Sequence, residues 1–545
     1  TRIIHYEGFV RPEFRQGDYT LESLSRGKEL TDIISPMYPP IEMIKEFAET
    51  VKDERPLIMC EYSHAMGNAN GSLNDYWKTI YSTHGLQGGF IWDWIDQGIA
   101  AEEGKGKPGE PQGGKYWKYG GDFGDVPADY DFCLNGILFP DQTPKPAMEE
   151  CKKIFAPLRF TEVNLQTGTF KIESRFDFIA ASNIHMNWVI AKNGTPVKKG
   201  TVAVNSLNPG QSMEVKIPSS EYVDKTDGHY VLTAEFMYTN GTDFAPENWI
   251  LFSEQIVINR ELKLFDKNWI YDGRQKSADI GMIKSIASSF VPTVFRPLTE
   301  NEAIKRQLPD VNEFFMFCRK PTKLWLNAGI DNEKVISING NHLEISSGEN
   351  AEVQGKFADV RYVIEKAVNP AGTEAVNLKI DFELLDFLPE YPRAGIVLKI
   401  PACFDSVSWY GRGPHENYSD RDFSAHFGLY KMHQSKLEVP YIVPQENGTR
   451  TQTSYLCLST SDASSAVHIQ SESPFSFNYS KYSDKDVWKK EHHNELIDLS
   501  NLENGYFELH IDAAIRGVGT GACGPDTLEP YKVKPGHYAL DLLFY

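Results

Sequence analysis

Cysteine is sparse and unpatterned in this chain. Seven occur in 545 residues, at positions 60, 133, 151, 318, 403, 457 and 523, and no two form a C-x-x-C pair. An odd, scattered set argues against a disulfide framework or a structural zinc site and leaves free buried thiols as the reading. Long apolar runs are also missing; none approaches the roughly 18–20 residues a membrane span needs. Positive charge is short, with 55 lysines and arginines against 75 acids, a net −20. Nucleic acid and anionic membranes would repel that surface, so neither is expected as a partner. There is no internal repeat, and the one biased segment is a Gly/Lys/Glu-rich loop at 101–114. No signal peptide is visible at Thr1-Arg2-Ile3-Ile4, and the compartment stays open.

What is there is globular in character, with 41% hydrophobic and 12% aromatic residues. The length exceeds what one core supports and implies about three domains. Residues 1–150 hold short unalternated apolar runs at Ile3-Ile4-His5-Tyr6, Asp32-Ile33-Ile34, Pro56-Leu57-Ile58-Met59-Cys60 and Gly89-Phe90-Ile91-Trp92. Such runs suit strands buried on both faces of a parallel sheet. Between them Ile41, Ile44, Phe47 and Val51 recur at helical spacing, as do Leu73, Tyr76, Trp77, Ile80 and Tyr81. The region therefore reads as a parallel α/β unit. From 155 to 262 the period falls to two, through Phe170, Ile172, Phe176 and Phe178 and through Met186, Trp188 and Ile190. With Asn193-Gly194 as a tight turn, this predicts an antiparallel sandwich. From 270 to 545 a larger β region follows, alternating at Val376, Leu378, Ile380, Phe382 and Leu384 and again at Tyr538, Leu540, Leu542 and Phe544. A helical piece around 312–329 interrupts it.

One oily run ends in an acid, Glu61. In parallel α/β sheets the strand C-termini converge on one mouth. Tyr6-Glu7 and Trp92-Asp93-Trp94 end two other runs, and His64 follows closely. Aromatic faces pack on the C–H faces of sugar rings, and carboxylates bond hydroxyls or attack an anomeric carbon to form a glycosyl ester. Each residue also has a plainer reading. An acid at a strand end can cap a helix or pair with an arginine, Trp92 can be a core aromatic, and His64 can be a loop histidine. Asn135 before Gly136 can be turn chemistry.

Residues 60–68, CEYSHAMGN, resemble the nucleophile region of glycoside hydrolase family 2, in its large bacterial β-galactosidases. Tyr6-Glu7-Gly8, the 32–38 stretch DIISPMY and the 86–94 stretch LQGGFIWDW are similar to further barrel segments of that family, in order. So are Tyr119-Gly120-Gly121-Asp122-Phe123-Gly124-Asp125 and Phe132-Cys133-Leu134-Asn135-Gly136. GRGPHENY at 411–418 and PQENG at 444–448 resemble parts of its terminal sandwich.

The resemblance implies a fold and a set of roles. Residues 1–150 would be the second half of a (β/α)8 TIM barrel, strands five to eight. Residues 155–262 would be an immunoglobulin-like β-sandwich, and 270–545 a large terminal antiparallel sandwich of the β-galactosidase small-chain, galactose-mutarotase-like type. Glu61 matches the nucleophile, Tyr6 the tyrosine that hydrogen-bonds it, His64 a contact to sugar hydroxyls, and Trp92 the floor beneath the galactose. Phe132, through its carbonyl, and Asn135, through its side chain, match ligands of a sodium ion. Asp93 and Trp94 are left as structural, and Glu7 as a support for Tyr6 or Arg2. Magnesium is also implied, with ligands mainly upstream. The implied activity is retaining hydrolysis of terminal β-D-galactosides such as lactose, by a homo-oligomer.

Two departures stand out. The family's acid/base glutamate lies on barrel strand four, which this chain does not show, and Asn301-Glu302 belongs to the later β region. One carboxylate cannot complete retaining hydrolysis, which needs two about 5–5.5 Å apart. The expectation is a carboxy-terminal portion of a longer enzyme, inactive without its amino-terminal half. Second, Cys523 stands near the position where family members place a tryptophan over the leaving group, so aglycone binding is expected to be weak. A β-glucuronidase-like activity and a non-catalytic carbohydrate-binding scaffold remain as alternatives.

Overall fold

The computed structural model describes residues 2–10, 19–51, 53–102, 115–204, 206–259, 277–302 and 321–545. The 101–114 loop from 103 onward, the 312–320 part of the expected helical piece, and 260–276 lie outside the described residues. Of that helical piece, Thr322–Asn327 is helix.

The run before Glu61 forms β1 (Leu57–Tyr62), and β2 (Leu86–Ile91) pairs with it in parallel. On the other side of β1, Ile34 and Met37 bridge in parallel to Leu57 and Glu61. Asp32 in turn donates its amide to the Ile4 carbonyl (2.9 Å). The four runs thus lie side by side, but only two are full strands. Ile3, Ile4 and Tyr6 are 73%, 54% and 57% exposed. Among the described residues no strand pairs with the far side of that run, which leaves a backbone edge open there. Helices Ile41–Thr50 and Leu73–Ser82 bury Ile41, Ile44 and Phe47, and Leu73, Tyr76 and Ile80. These six of the residues at helical spacing pack with Met59 and Tyr62 of β1 in one core, with Val51 and Trp77 partly buried against it, whereas Tyr81 is 52% exposed.

Next, seven strands form two antiparallel sheets over a shared core. Leu158–Asn164, Thr169–Ser174 and Ser212–Lys216 make one sheet; Ile250–Val257, Tyr230–Tyr238, Ile184–Lys192 and Thr195–Val204 make the other. Met186, Trp188 and Ile190 face Phe160, Phe170 and Ile172 across that core. Asn193 and Gly194 take φ of 49° and 80°, the left-handed pair a two-residue hairpin needs between its strands. Phe178 departs from the expected alternation. It lies past the end of the Thr169–Ser174 strand, in an irregular link, and is 96% exposed.

Among the described residues the last part is one twelve-stranded antiparallel sheet that curls round a large core. Its longest strand, Ala466–Ser480, pairs with Arg450–Ser459, Tyr506–Ile515 and Gly536–Phe544 at different points along its length. That sharing lets the sheet turn on itself and bury Ile469, Phe475 and Phe477.

The barrel part and this sheet are joined by a buried polar seam. Asn68 donates to the Glu446 carbonyl (2.7 Å) and accepts from Arg421, while its amide donates to Gln445 (2.8 Å). Gly71 and Ser72 donate amides to the carbonyls of Gly519 and Asp420 (2.6 Å each). The segments GRGPHENY and PQENG therefore meet MGN at this seam, although hundreds of residues separate them in sequence.

Candidate active site

Glu61 sits near the C-terminal end of β1 and is half-buried. Its Oε2 accepts a hydrogen bond from the Tyr38 hydroxyl (2.8 Å). The backbone fixes that pairing, because Tyr38 donates its amide to the Glu61 carbonyl (2.8 Å) and holds φ at 50°. Burial and then the Glu61 charge push the Tyr38 phenol far above its ordinary range, so it remains a donor. The same two influences push the neighbouring Cys60 thiol up to about 12, so it stays protonated and inert.

The tyrosine donating to Glu61 is therefore Tyr38, where the resemblance points to Tyr6. Tyr6 is 57% exposed, and its ring meets Phe9 edge-on at 5.1 Å. It belongs to the uncovered edge run, whereas Tyr38 is locked to β1 by backbone bonds. His64 is buried next to this pair, its ring 5.9 Å from Tyr38 and 5.1 Å from Phe132. Trp92 follows β2 directly and is 39% exposed, which leaves an aromatic surface open at the mouth. Its carbonyl accepts from Ala65 (2.8 Å), tying the His64 loop to β2. Trp94 is exposed as well, while the Asp93 backbone amide donates to the Asn135 carbonyl.

Phe132 and Asn135 stand together, with Asn135 Nδ2 donating to the Phe132 carbonyl (3.1 Å). Asn135 Oδ1 is buried and has no hydrogen-bond partner among the described residues. Gly136 is required here, since a Cβ would lie 2.1 Å from Ile95 and 2.2 Å from the Asp96 amide. That contact presses the 132–136 segment onto the segment leaving β2. Lys145, fully buried, bonds both Asp96 (2.9 Å) and the Ala65 carbonyl (3.2 Å) and closes the same wall.

The terminal sheet contributes a loop. Ala522 donates its amide to the His64 carbonyl (3.0 Å), and Cys523 is buried with Met66 and Ala522 against Tyr38 and Phe132. Cys523 thus underlies the Glu61 neighbourhood as a packed thiol. Asn301 holds this loop through the Gly521 carbonyl (2.5 Å). Glu302 is fully buried between Arg296 (2.8 Å) and Arg516 (3.1 Å), the position of a structural ion pair, remote in kind from an exposed acid/base. Sequence reasoning missed Tyr38 and Asn301. The available signal was DIISPMY, a run that ends in a tyrosine, although pairing with β1 alone does not fix the register that brings Tyr38 to Glu61.

A strand-end carboxylate, a tyrosine donor, a buried histidine and an open tryptophan converge here from segments that known families share. Residues 1–160 match the family described as "Glycosyl hydrolases family 2, TIM barrel domain", and 170–259 match "Beta-galactosidase, domain 4". Residues 267–544, more than half the chain, match "Beta galactosidase small chain". The chain belongs to glycoside hydrolase family 2. This family 2 chain is similar to a protein named beta-galactosidase from Vibrio cholerae serotype O1, 29% identical over 94% of this chain and 51% of the relative. It is also similar to one from Pseudoalteromonas haloplanktis, 30% identical over 94% and 52%, and one from Oenococcus oeni, 30% over 92% and 50%. The chain spans about half the length of these curated relatives.

Within the family 2 site, removal of the Tyr38 hydroxyl tests the pairing. A hydrogen bond to a charged group contributes about 1.5–3 kcal/mol. Tyr38→Phe in the full-length protein is therefore expected to lower kcat/KM roughly 10- to 150-fold. Circular dichroism should be unchanged, because the backbone bond from the Tyr38 amide to the Glu61 carbonyl persists.

Proposed function

We propose that this chain is the nucleophile-bearing part of a retaining exo-β-galactosidase. The observation that carries the reading is Glu61 at a strand C-terminus with the Tyr38 hydroxyl on Oε2. Attack of Glu61 on the anomeric carbon forms a galactosyl ester as the bond to the leaving oxygen breaks. Water then cleaves the ester and restores the carboxylate. Tyr38 holds Glu61 aimed through its hydrogen bond, and Trp92 offers a face to the apolar side of the ring. Contact between His64 and sugar hydroxyls is part of this reading. The carboxyl that protonates the leaving oxygen, and magnesium ligands, would come from residues beyond this chain. The seven-stranded unit is read as immunoglobulin-like, and the assembled enzyme as a homo-oligomer. The test is labelling of the full-length protein with a 2-deoxy-2-fluoro-galactoside. Mass spectrometry should find the adduct on the peptide holding Glu61, and an adduct on another carboxylate overturns the proposal.

The sodium reading fits the residues present. Phe132 O and Asn135 Oδ1 are hard oxygens, and exchanging the two ends of the Asn135 amide turns both toward one point. These two residues would hold the ion, which supplies positive charge for sugar oxygens. Replacing sodium by choline chloride is expected to raise KM for a galactoside several-fold with kcat little changed. Asn135→Ala should remove that response, while a KM indifferent to the cation would exclude the ion.

A further inference from the structure

Away from Glu61, a cavity of about 360 Å³ opens where the strand Lys115–Lys118 and the loop 139–146 meet the terminal sheet. Its volume falls in the usual range for small-molecule pockets, and it lies at a junction of domains, where such pockets concentrate. None of Glu61, Tyr38, His64 and Trp92 lines it. The lining has a definite chemistry. Tyr116 and Trp117, both half-buried, give aromatic surface, and Pro144, Pro146, Val439 and Pro440 give further apolar surface. Polar groups come from Asp141, Glu438, His493 and Asn494. Among the described residues no lysine or arginine takes part. In contrast, the 380 Å³ cavity beside helix Leu73–Ser82 is lined by Lys78, Lys153, Arg159 and Arg175.

The polar groups are held in place before any ligand arrives. His492 bonds Asp122 (2.8 Å) and Glu495 (3.2 Å), stacks on Tyr119 at 4.6 Å and meets the Tyr116 ring edge-on at 5.7 Å. Glu438 receives the Gln434 amide and the Lys481 N–H on Oε1, each at 2.9 Å, which leaves Oε2 for an occupant. Asp141 Oδ1 accepts the Thr143 amide (3.0 Å). Burial keeps His493 neutral, with its pKa lowered to about 4.

Fixed carboxylate acceptors, with no lysine or arginine among the described lining residues, disfavour phosphates and uronates. Aromatic faces beside carboxylate, amide and neutral imidazole suit a molecule with apolar C–H faces and many hydroxyls. We propose that this cavity is a second, non-catalytic site for a neutral saccharide, set by Tyr116, Trp117, Asp141 and Glu438. The proposal draws on the lining alone and stands whether or not Glu61 is a nucleophile.

The test uses the full-length protein carrying Glu61→Gln, so that binding is read without turnover. Crystals soaked in lactose should show a sugar ring in this cavity, against Tyr116 or Trp117. In titration calorimetry Tyr116→Ala and Asp141→Ala should each weaken the second binding event at least about tenfold. In the otherwise wild-type enzyme both should leave turnover of an aryl galactoside unchanged. Glucose 6-phosphate and glucuronate should bind more weakly than lactose. A cavity empty at saturating lactose overturns the proposal. So does glucose 6-phosphate binding as tightly, or a proline-rich peptide occupying the cavity in place of sugar. If a substitution fails to fold, the soaked crystal decides.

Discussion

Glu61→Gln in the full-length protein is expected to lower kcat on the order of 10⁴-fold or more, the scale of losing one member of a covalent catalytic unit. The substitution isolates chemistry from structure. Glutamine keeps the volume and branching of the side chain, and its carbonyl oxygen can still accept from Tyr38. Backbone pairing of Tyr38 and Pro36 with β1 does not involve the side chain at all. Thermal unfolding should therefore match the parent. KM for a galactoside should change little, since Trp92 and His64 are untouched. What disappears is the nucleophile, because an amide oxygen cannot form the ester. Activity within tenfold of the parent would mean that another group attacks the sugar, and the proposed mechanism fails.

This effect differs in kind from the loss expected at Tyr38. Removing the donor weakens the stabilisation of a carboxylate that remains present, so a fraction of turnover survives. Removing the carboxylate leaves only binding and whatever the second carboxyl supplies. The ratio between the two variants measures how much of the site's power resides in the bond at Oε2. Equal losses would indicate that Tyr38→Phe displaces Glu61, a displacement a crystal structure of the variant would reveal.

The local elements were legible in the sequence because each depends on a short period. Ile41, Ile44 and Phe47 mark a helix face, and Met186, Trp188 and Ile190 mark a strand face, and both sets are buried. Glu61 was legible for a different reason: an acid after an apolar run stands at the end of a strand wherever that strand packs. The identity of its partner was not, because it depends on which residue of a neighbouring run is level with position 61. The bridge between Met37 and Glu61 sets that level, and no local pattern encodes it. Likewise MGN closes the stretch that resembles the nucleophile region, yet Asn68 is wholly buried in the seam against Arg421 and Glu446. Polar residues at a domain seam and at an active site look alike in sequence. Only their burial against a second domain separates them.

That seam carries the second large effect. Arg421→Met is expected to destabilise the folded protein by about 3–5 kcal/mol, the cost of stranding a buried charge. Arg421 donates to the Ala69 carbonyl (2.8 Å), to Asn68 Oδ1 (2.7 Å) and to Glu416 Oε1. Burial opposes its charge, but Tyr441 and Glu416 outweigh that and raise its pKa. Methionine fills much of the volume and takes none of the bonds. Glu416, fully buried, would keep only Tyr441 (2.9 Å) and the Gly448 amide (2.5 Å). Its carboxyl is already pushed above 4.5 by burial, with Arg421 the first influence opposing that, so losing the arginine drives it higher. The sign follows. A carboxyl whose folded pKa exceeds its unfolded value binds more protons when folded, so stability falls as pH rises between the two. The deficit of Arg421→Met against the parent should thus shrink toward pH 4.5 and grow above it. Adding Glu416→Gln should recover part of the loss at neutral pH, because no charge is then stranded. Chemical denaturation of the four proteins across pH gives the cycle; a deficit that is flat with pH, or unrelieved by Glu416→Gln, would mean that packing rather than charge holds the seam. The activity of the folded single variant carries further information. Asp420, beside Arg421, accepts the amides of Val518 (3.0 Å) and Gly519 (2.8 Å), and the same loop reaches His64 through Ala522. Loosening Arg421 should therefore loosen the terminal sheet's grip on the mouth, raising KM more than it lowers kcat, because Glu61 and Tyr38 are fixed to β1 and stay in register.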